Sequence, residues 1–202
     1  MAFTVFFRDL QVLELAVEHT LPELAGRSRA RIWDAGCAMG PEVYTLAILL
    51  AGRMGGFGFR NVRIDATDLD ETGQFGEIVR AGVYSQEELQ RMPEGVLERY
   101  FEPKAGPGRF RVVEAVRSRV HFRRHDLLSL EEIDSGCSLV VCKNVLLHFS
   151  ETQRAAVIRM FHRALAPGGL FVTEHTQKMP AEVEPLFARV EAYAPLYRKR
   201  EA

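Results

Sequence analysis

Apolar positions along the chain fall into two rhythms that alternate. Leu10, Leu13, Val17, Leu21 and Leu24 recur every three or four residues, which predicts one face of a helix, with Pro22 expected to end or kink it. The short run Ile32-Trp33 leads into Asp34 and the glycines Gly36 and Gly40, and then Val43, Leu46, Ala47 and Leu50 resume helical spacing. This reads as strand, glycine turn and helix. Gly52, Gly55, Gly56 and Gly58 predict a flexible connection. Residues 61–67 alternate and are β-branched, which predicts a second strand ending at Asp68. Residues 73–84 read as a helix interrupted by Gly76 and Gly82, and residues 85–92 as the start of another, with Ser85 as cap and Glu88 three positions on.

The pattern changes at Tyr100. Pro103, Gly106, Pro107 and Gly108 mark a turn, and residues 109–113 and 117–122 predict two strands paired as a hairpin, a small antiparallel insertion at about residues 100–121. Its arginines, among them Arg109, Arg111, Arg117 and Arg119, suit a solvated edge strand or a partner surface. The strand through Val120 and Phe122 ends ahead of Asp126. Residues 138–142 are apolar throughout, as in a buried parallel strand, and run into Lys143-Asn144. Ser150 and Gln153 form a capping box for a helix with Val157, Met160, Phe161, Ala164 and Leu165 on one face, stopped by Pro167-Gly168-Gly169. Residues 170–173 and 196–200 predict the last strands.

Strand and helix thus alternate in the manner of a doubly wound α/β sheet. The stretch from Asp34 to Gly40, Asp68, Asp126 and the stretch from Cys142 to Asn144 all fall at carboxyl ends of strands, the edge along which open α/β sheets bind ligands. Asp68 suits the ribose hydroxyls of a nucleoside, unless it caps the next helix, a task open to Asp70. Asp126 suits the exocyclic amine of an adenine. Phe6-Phe7-Arg8 reads either as an aromatic staple beside a solvated arginine or as Arg8 held over a ligand.

Bulk composition narrows the class. The 202 residues are 47% hydrophobic and 26% charged, which predicts one packed domain over residues 1–202. A net charge of −1 gives no reason to expect nucleic acid as a partner. No run approaches the length of a membrane span, and the apolar start lacks a basic leader, so no membrane insertion and a cytoplasmic location are expected. Cys37, Cys137 and Cys142 form no C-x-x-C pair, and the histidines do not cluster with carboxylates, so no metal is expected.

Several stretches together resemble the CheR-type chemotaxis receptor methyltransferases. Thr4-x-Phe6-Phe7-Arg8-Asp9 resembles that family's T-x-F-F-R-D. The stretch from Gly36 to Ala47 resembles its G-C-S-T-G-E-E-P-Y-S-L-A, Ala66-Thr67-Asp68 matches its second strand end, and the stretch from Cys142 to Phe149 resembles C-R-N-V-L-I-Y-F. Pro167-Gly168-Gly169 and Tyr197-Arg198-Lys199 resemble later landmarks. The resemblance implies a class I S-adenosylmethionine-dependent methyltransferase, a Rossmann-like doubly wound sheet with a small antiparallel β-subdomain insertion. It implies transfer of a methyl group to a glutamate carboxylate of a chemoreceptor or related signalling protein, leaving S-adenosylhomocysteine, with the β-subdomain helping to engage the receptor. It implies that Thr4, Arg8, Ala35, Gly36, Glu42, Asp68, Leu69, Asp126, Leu127, Cys142, Lys143 and Asn144 surround the cofactor. Arg8 would lie beside the transferred methyl, with His148 as a second catalytic position.

The departures are local. The first glutamate of the family's G-E-E-P is Pro41 here, its proline is Val43, its S-T is Ala38-Met39, its tyrosine is His148, and its common adenine-side asparagine is Asp126. Pro41 suits a first helical turn. Glu42 stands one residue past the replaced carboxylate and is expected to point elsewhere on the helix. Met1 falls just ahead of the Thr4 motif, so the chain is expected to be either a natural short form without the helical domain that often precedes the family's catalytic domain, or a fragment. The alternative is a non-catalytic signalling module that binds the cofactor, its product or only a partner protein.

Overall fold

A mostly parallel sheet, with one reversed strand next to its edge, organises the chain in the computed structural model, which describes residues 4–24, 28–104, 106–176 and 178–201. In chain order the elements open with α1 (Leu10–Leu24), β1 (Ala30–Ala35), α2 (Pro41–Phe59), β2 (Val62–Asp68), α3 (Gln74–Ala81) and β3 (Val83–Ser85). They continue with α4 (Val96–Tyr100), β4 (Phe101–Pro103), β5 (Arg109–Val112), α5 (Glu114–Arg117) and β6 (Val120–Arg124). The last are β7 (Cys137–Val141), α6 (Glu151–Ala164), β8 (Leu165–Val172), β9 (Phe187–Arg189) and β10 (Leu196–Lys199).

The strand order is β6-β2-β1-β7-β8-β10-β9. The first five are parallel, β10 runs antiparallel to β8, and β9 antiparallel to β10. From β1 the chain moves outward to β2 and on to the edge strand β6, then crosses back to β7 on the other side of β1, so the switch point lies between β1 and β7. Alternation along each strand separates two cores. Ile32, Ile64, Leu139 and Leu170 pack beneath α1 and α2 with Leu13, Val17, Leu46 and Leu50. Trp33, Val140 and Phe171 pack beneath α6 with Val157 and Phe161. The capping box of α6 forms in both directions, Gln153 N donating to Ser150 Oγ (3.3 Å) and Ser150 N to Gln153 Oε1 (3.0 Å).

Several boundaries differ from the sequence reading. Helix α1 runs two residues past Pro22. Helix α2 continues through the expected glycine connection to Phe59, kinking at Gly55, whose φ of 67° only glycine adopts readily with a ψ of 169°. The stop at Pro167-Gly168-Gly169 lies inside β8, where the pairing with β7 shifts register.

The small antiparallel sheet is built differently from the expected hairpin. Its order is β3-β5-β4, so β5 pairs with residues 83–85 and 101–103 and not with residues 117–122. The helical turn of α5 intervenes, and the following strand joins β2 in parallel as the edge of the main sheet. A two-residue alternation serves either role, which is why periodicity misassigned it. Tyr84, read as the tail of a helix, is the fully buried centre of β3, because left-handed Gly82 (φ 58°) ends α3 early. Residues 86–91 form turns in place of a helix, although Ser85 and Glu88 still exchange bonds (Ser85 N to Glu88 Oε2 2.7 Å, Glu88 N to Ser85 Oγ 3.3 Å).

Tyr84 fastens this small sheet to the main one. Its ring meets Phe6 edge-on at 4.8 Å, and its hydroxyl donates to the Met39 carbonyl at 2.9 Å. Phe6 also meets Phe101 of β4 at 5.8 Å. Among the described residues, no helix is long and apolar enough to cross a membrane, and no group of three metal-ligating side chains is present.

Candidate active site

The glycine turn after β1 is fastened to β2. Gly36 N and Cys37 N both donate to the Thr67 carbonyl (2.7 and 3.0 Å), and Ala38 N donates to Asp68 Oδ2 (3.0 Å). Gly36 has φ +92°, and a Cβ there would come 2.2 Å from Val145 Cγ2, so the turn requires glycine on two grounds. Asp68 Oδ1 accepts from Asp70 N (3.1 Å), while Asp70 takes the Phe75 and Gly76 amides at the start of α3 (3.0 Å each). The N-cap position of α3 is Gly73, and the Asp70 carboxylate takes over the capping of its first amides. Asp68 accepts one bond at each oxygen, and a carboxylate has room for about four.

Turn, strand ends and the segment before α1 enclose a cleft of about 510 Å³ at the switch point. Gly36, Cys37, Ala38 and Asp68 form one side, Glu42 and Thr45 of α2 the base, and Lys143, Asn144, Val145, Leu147 and His148 the other side. Thr4, Val5 and Arg8 close it from the N-terminal segment.

The base is rich in buried charge. Lys143, with its side chain 1% exposed, places Nζ 3.0 Å from Glu42 Oε2 and 3.2 Å from Asp9 Oδ2. Asp34, at 0% exposure, has no hydrogen-bond partner for either carboxylate oxygen among the described residues. Burial, reinforced by the charge of Glu42, pushes the Asp34 carboxyl well above the usual carboxylate range, with Lys143 opposing. Burial likewise raises Glu42, against the pull of Lys143.

Arg8 is set from both flanks. Phe7 and Asp9 hold left-handed backbone (φ 56° and 49°), a conformation that costs a bulky residue on the order of 1 kcal/mol or more. Phe7 N donates to Thr45 Oγ1 (3.0 Å), whose own hydroxyl donates to the Pro41 carbonyl (2.7 Å). Arg8 Nη2 then donates to Asn144 Oδ1 at 3.1 Å. Asn144 is itself left-handed (φ 59°), which asparagine tolerates better than most residues. Its N–H donates to Glu174 Oε2 (3.1 Å). Phe6 is fully buried, as an aromatic staple would be, and Arg8 lines the cleft.

Of the residues singled out in the sequence, Thr4, Arg8, Gly36, Glu42, Asp68, Lys143, Asn144 and His148 come together around the cleft. Glu42 was expected to point elsewhere and instead turns into the base, drawn by Lys143. Ala35, Leu127 and Cys142 have their side chains in the core beneath α6. Leu69 is 43% exposed beyond β2, and Asp126 caps a short turn by accepting from Leu128 N (2.8 Å). None of these five lines the cleft. Sequence reasoning missed Asp9 and Glu174. Asp9 stood inside the T-x-F-F-R-D stretch and Glu174 just past a strand, but only their long-range partners give them meaning.

Comparison with known proteins agrees with this architecture. The family described as CheR methyltransferase, SAM binding domain, matches residues 2–194. Chemotaxis protein methyltransferase 1 of Pseudomonas aeruginosa is 36% identical over 82% of this chain and 62% of its own length. The chemotaxis protein methyltransferase of Escherichia coli is 31% identical over 86% of this chain and 60% of its own. The chain thus spans about three fifths of the length of these relatives. Among solved structures, PKMT2 from Rickettsia typhi in complex with AdoHcy aligns with a TM-score of 0.50 at 14% identity, over 86% of this chain and 26% of that one, a likeness of fold. The fold is that of class I methyltransferases, and with the match over nearly its whole length, the chain belongs to the CheR methyltransferase SAM-binding domain family.

Proposed function

We propose that the cleft binds S-adenosylmethionine and that the chain methylates a glutamate carboxylate of a chemoreceptor or related signalling protein, in the cytoplasm. The observation that carries this reading is the Arg8–Asn144 hydrogen bond, which holds a guanidinium at a strand-end cleft whose base is short of positive charge.

The donor set fits the cofactor. Lys143 is the one ammonium shared by Glu42 and Asp9, and the buried carboxyl of Asp34 has no hydrogen-bond partner among the described residues, so the base suits a further cation such as the cofactor's amine. Asp68 retains acceptor capacity for ribose hydroxyls. When bound, S-adenosylmethionine supplies an electrophilic methyl group on a sulfonium.

The remaining work falls to side chains of this protein. A glutamate acceptor is ionised at neutral pH, its ordinary pKa being about 4.3, so no residue has to take a proton from it. Arg8 would bind and orient that carboxylate, which suits the planar guanidinium. Asn144 limits the swing of Arg8, and alignment of this kind is a large part of catalysis in such transfers. Val145 and Leu147 supply apolar wall that strips water from the acceptor. Lys143 is held by Glu42 and Asp9 and so does not compete for the carboxylate. His148, exposed at the rim, would guide the incoming chain. The small sheet, with Arg109 and Arg111 on its middle strand, is the proposed receptor contact.

Calorimetry with S-adenosylmethionine and S-adenosylhomocysteine, followed by transfer of labelled methyl to receptor fragments, tests this reading. Both ligands are expected to bind, and Arg8→Ala is expected to abolish transfer while product binding partly survives. Failure to bind either ligand would remove the enzyme reading. Binding without methylation of any receptor fragment would make the chain a signalling module.

A further inference from the structure

Glu174 follows β8 and is 4% exposed. Its Oε2 accepts from Asn144 N (3.1 Å) and from Thr173 Oγ1 (2.9 Å), while Oε1 has no partner among the described residues. A carboxylate buried with half its capacity unused is unfavourable, so its retention calls for a compensating role. Glu174 does not line the cleft; it borders a separate cavity of about 750 Å³.

Asn144 links Glu174 to the cleft. The residue is left-handed, and its N–H is directed at Glu174 while its side-chain Oδ1 receives Arg8 Nη2. The asparagine side chain is short, so Oδ1 moves almost in step with the backbone. We propose that Glu174 is a positioning residue for methyl transfer: by fixing the Asn144 backbone it fixes the oxygen that holds Arg8. This rests on the reading of Arg8 as the residue that orients the acceptor.

Because Glu174 touches neither the cleft nor Arg8, its removal should separate transfer from cofactor binding. In Glu174→Ala, kcat/KM for a receptor fragment is expected to fall about 100-fold, the scale of an ångström-sized misplacement, with the Kd for S-adenosylhomocysteine changed less than about 3-fold. Glu174→Gln keeps an acceptor oxygen of the same reach and should retain most activity. A second readout needs no turnover. In amide hydrogen exchange of the full chain, Asn144 N–H should exchange at least about 10-fold faster in Glu174→Ala and near the parental rate in Glu174→Gln. Unchanged Asn144 exchange in folded Glu174→Ala would overturn the proposal, as would parental kcat/KM in that variant or a Gln variant as impaired as Ala. Should the parental chain methylate no receptor while Asn144 loses protection in Glu174→Ala, the methyl-transfer reading fails and the hydrogen-bond relay stands.

Discussion

Lys143 Nζ lies 3.0 Å from Glu42 Oε2, joining the end of β7 to the first turn of α2 with almost no access to water. Removing one partner of such a pair strands the other, a loss of roughly 3–5 kcal/mol. Lys143→Ala should therefore lower stability by that order in urea denaturation, and the double change Lys143→Met, Glu42→Gln should recover most of it. A Lys143→Ala chain as stable as the parent would mean that the pair contributes little.

Asp34 predicts a pH dependence with a definite sign. Its carboxyl titrates above the ordinary range when folded, so the folded chain holds a proton that the unfolded chain releases. Stability from that proton is fully present below the ordinary aspartate value and is lost as pH rises through the folded one. Asp34→Asn stays neutral throughout, so its Tm advantage over the parent should be small near about pH 4 and grow toward about pH 8, with each kcal/mol worth about 2–4 °C in a chain of this size. A cationic ligand beside Asp34 should favour the ionised form, so binding should release protons, visible as a buffer-dependent calorimetric enthalpy. A Tm difference that stays flat with pH would show that Asp34 does not titrate this way.

Gly36 and Val145 compete for one space. Gly36→Ala is expected to weaken cofactor binding at least about tenfold, since it adds a left-handed backbone penalty of about 1 kcal/mol or more to a direct clash. Adding Val145→Ala should recover only part, because the clash is relieved and the backbone penalty remains. Full recovery in the double variant would show that φ is not limiting.

Tyr84 holds the glycine turn through the Met39 carbonyl. Tyr84→Phe leaves that half-buried acceptor without its bond and should cost about 1 kcal/mol, read as a lower Tm. Product affinity should fall as well, since the same turn forms a wall of the cleft. A lower Tm with unchanged affinity would show that the turn keeps its shape without the hydroxyl.

Local signals carried much of this structure. The strand–glycine–helix run at Asp34 to Gly40, the capping box at Ser150 and the carboxylate of Asp70 at the start of α3 depend on residues a few positions apart, and all are present. What was illegible depends on distant partners. Whether residues 117–122 pair with the preceding strand or with β2 is decided by the sheet they join. Glu42 turns into the cleft because Lys143, 101 residues later, waits there. Glu174 gains its meaning only beside Asn144, 30 residues away.

Arg8 and Asn144 are separated by 136 positions. During synthesis, the segment that closes the cleft therefore emerges long before the residue that receives it, and Tyr84, the nearer anchor of Phe6, also comes later. The entropy of closing so long a loop grows only slowly with its length, so the delay lies in waiting for the partner and not in reaching it. A nascent chain arrested ahead of Asn144 would carry the whole glycine turn and yet lack one side of its cleft. Competence to bind thus arrives late in translation, once β7 has taken its place beside β1.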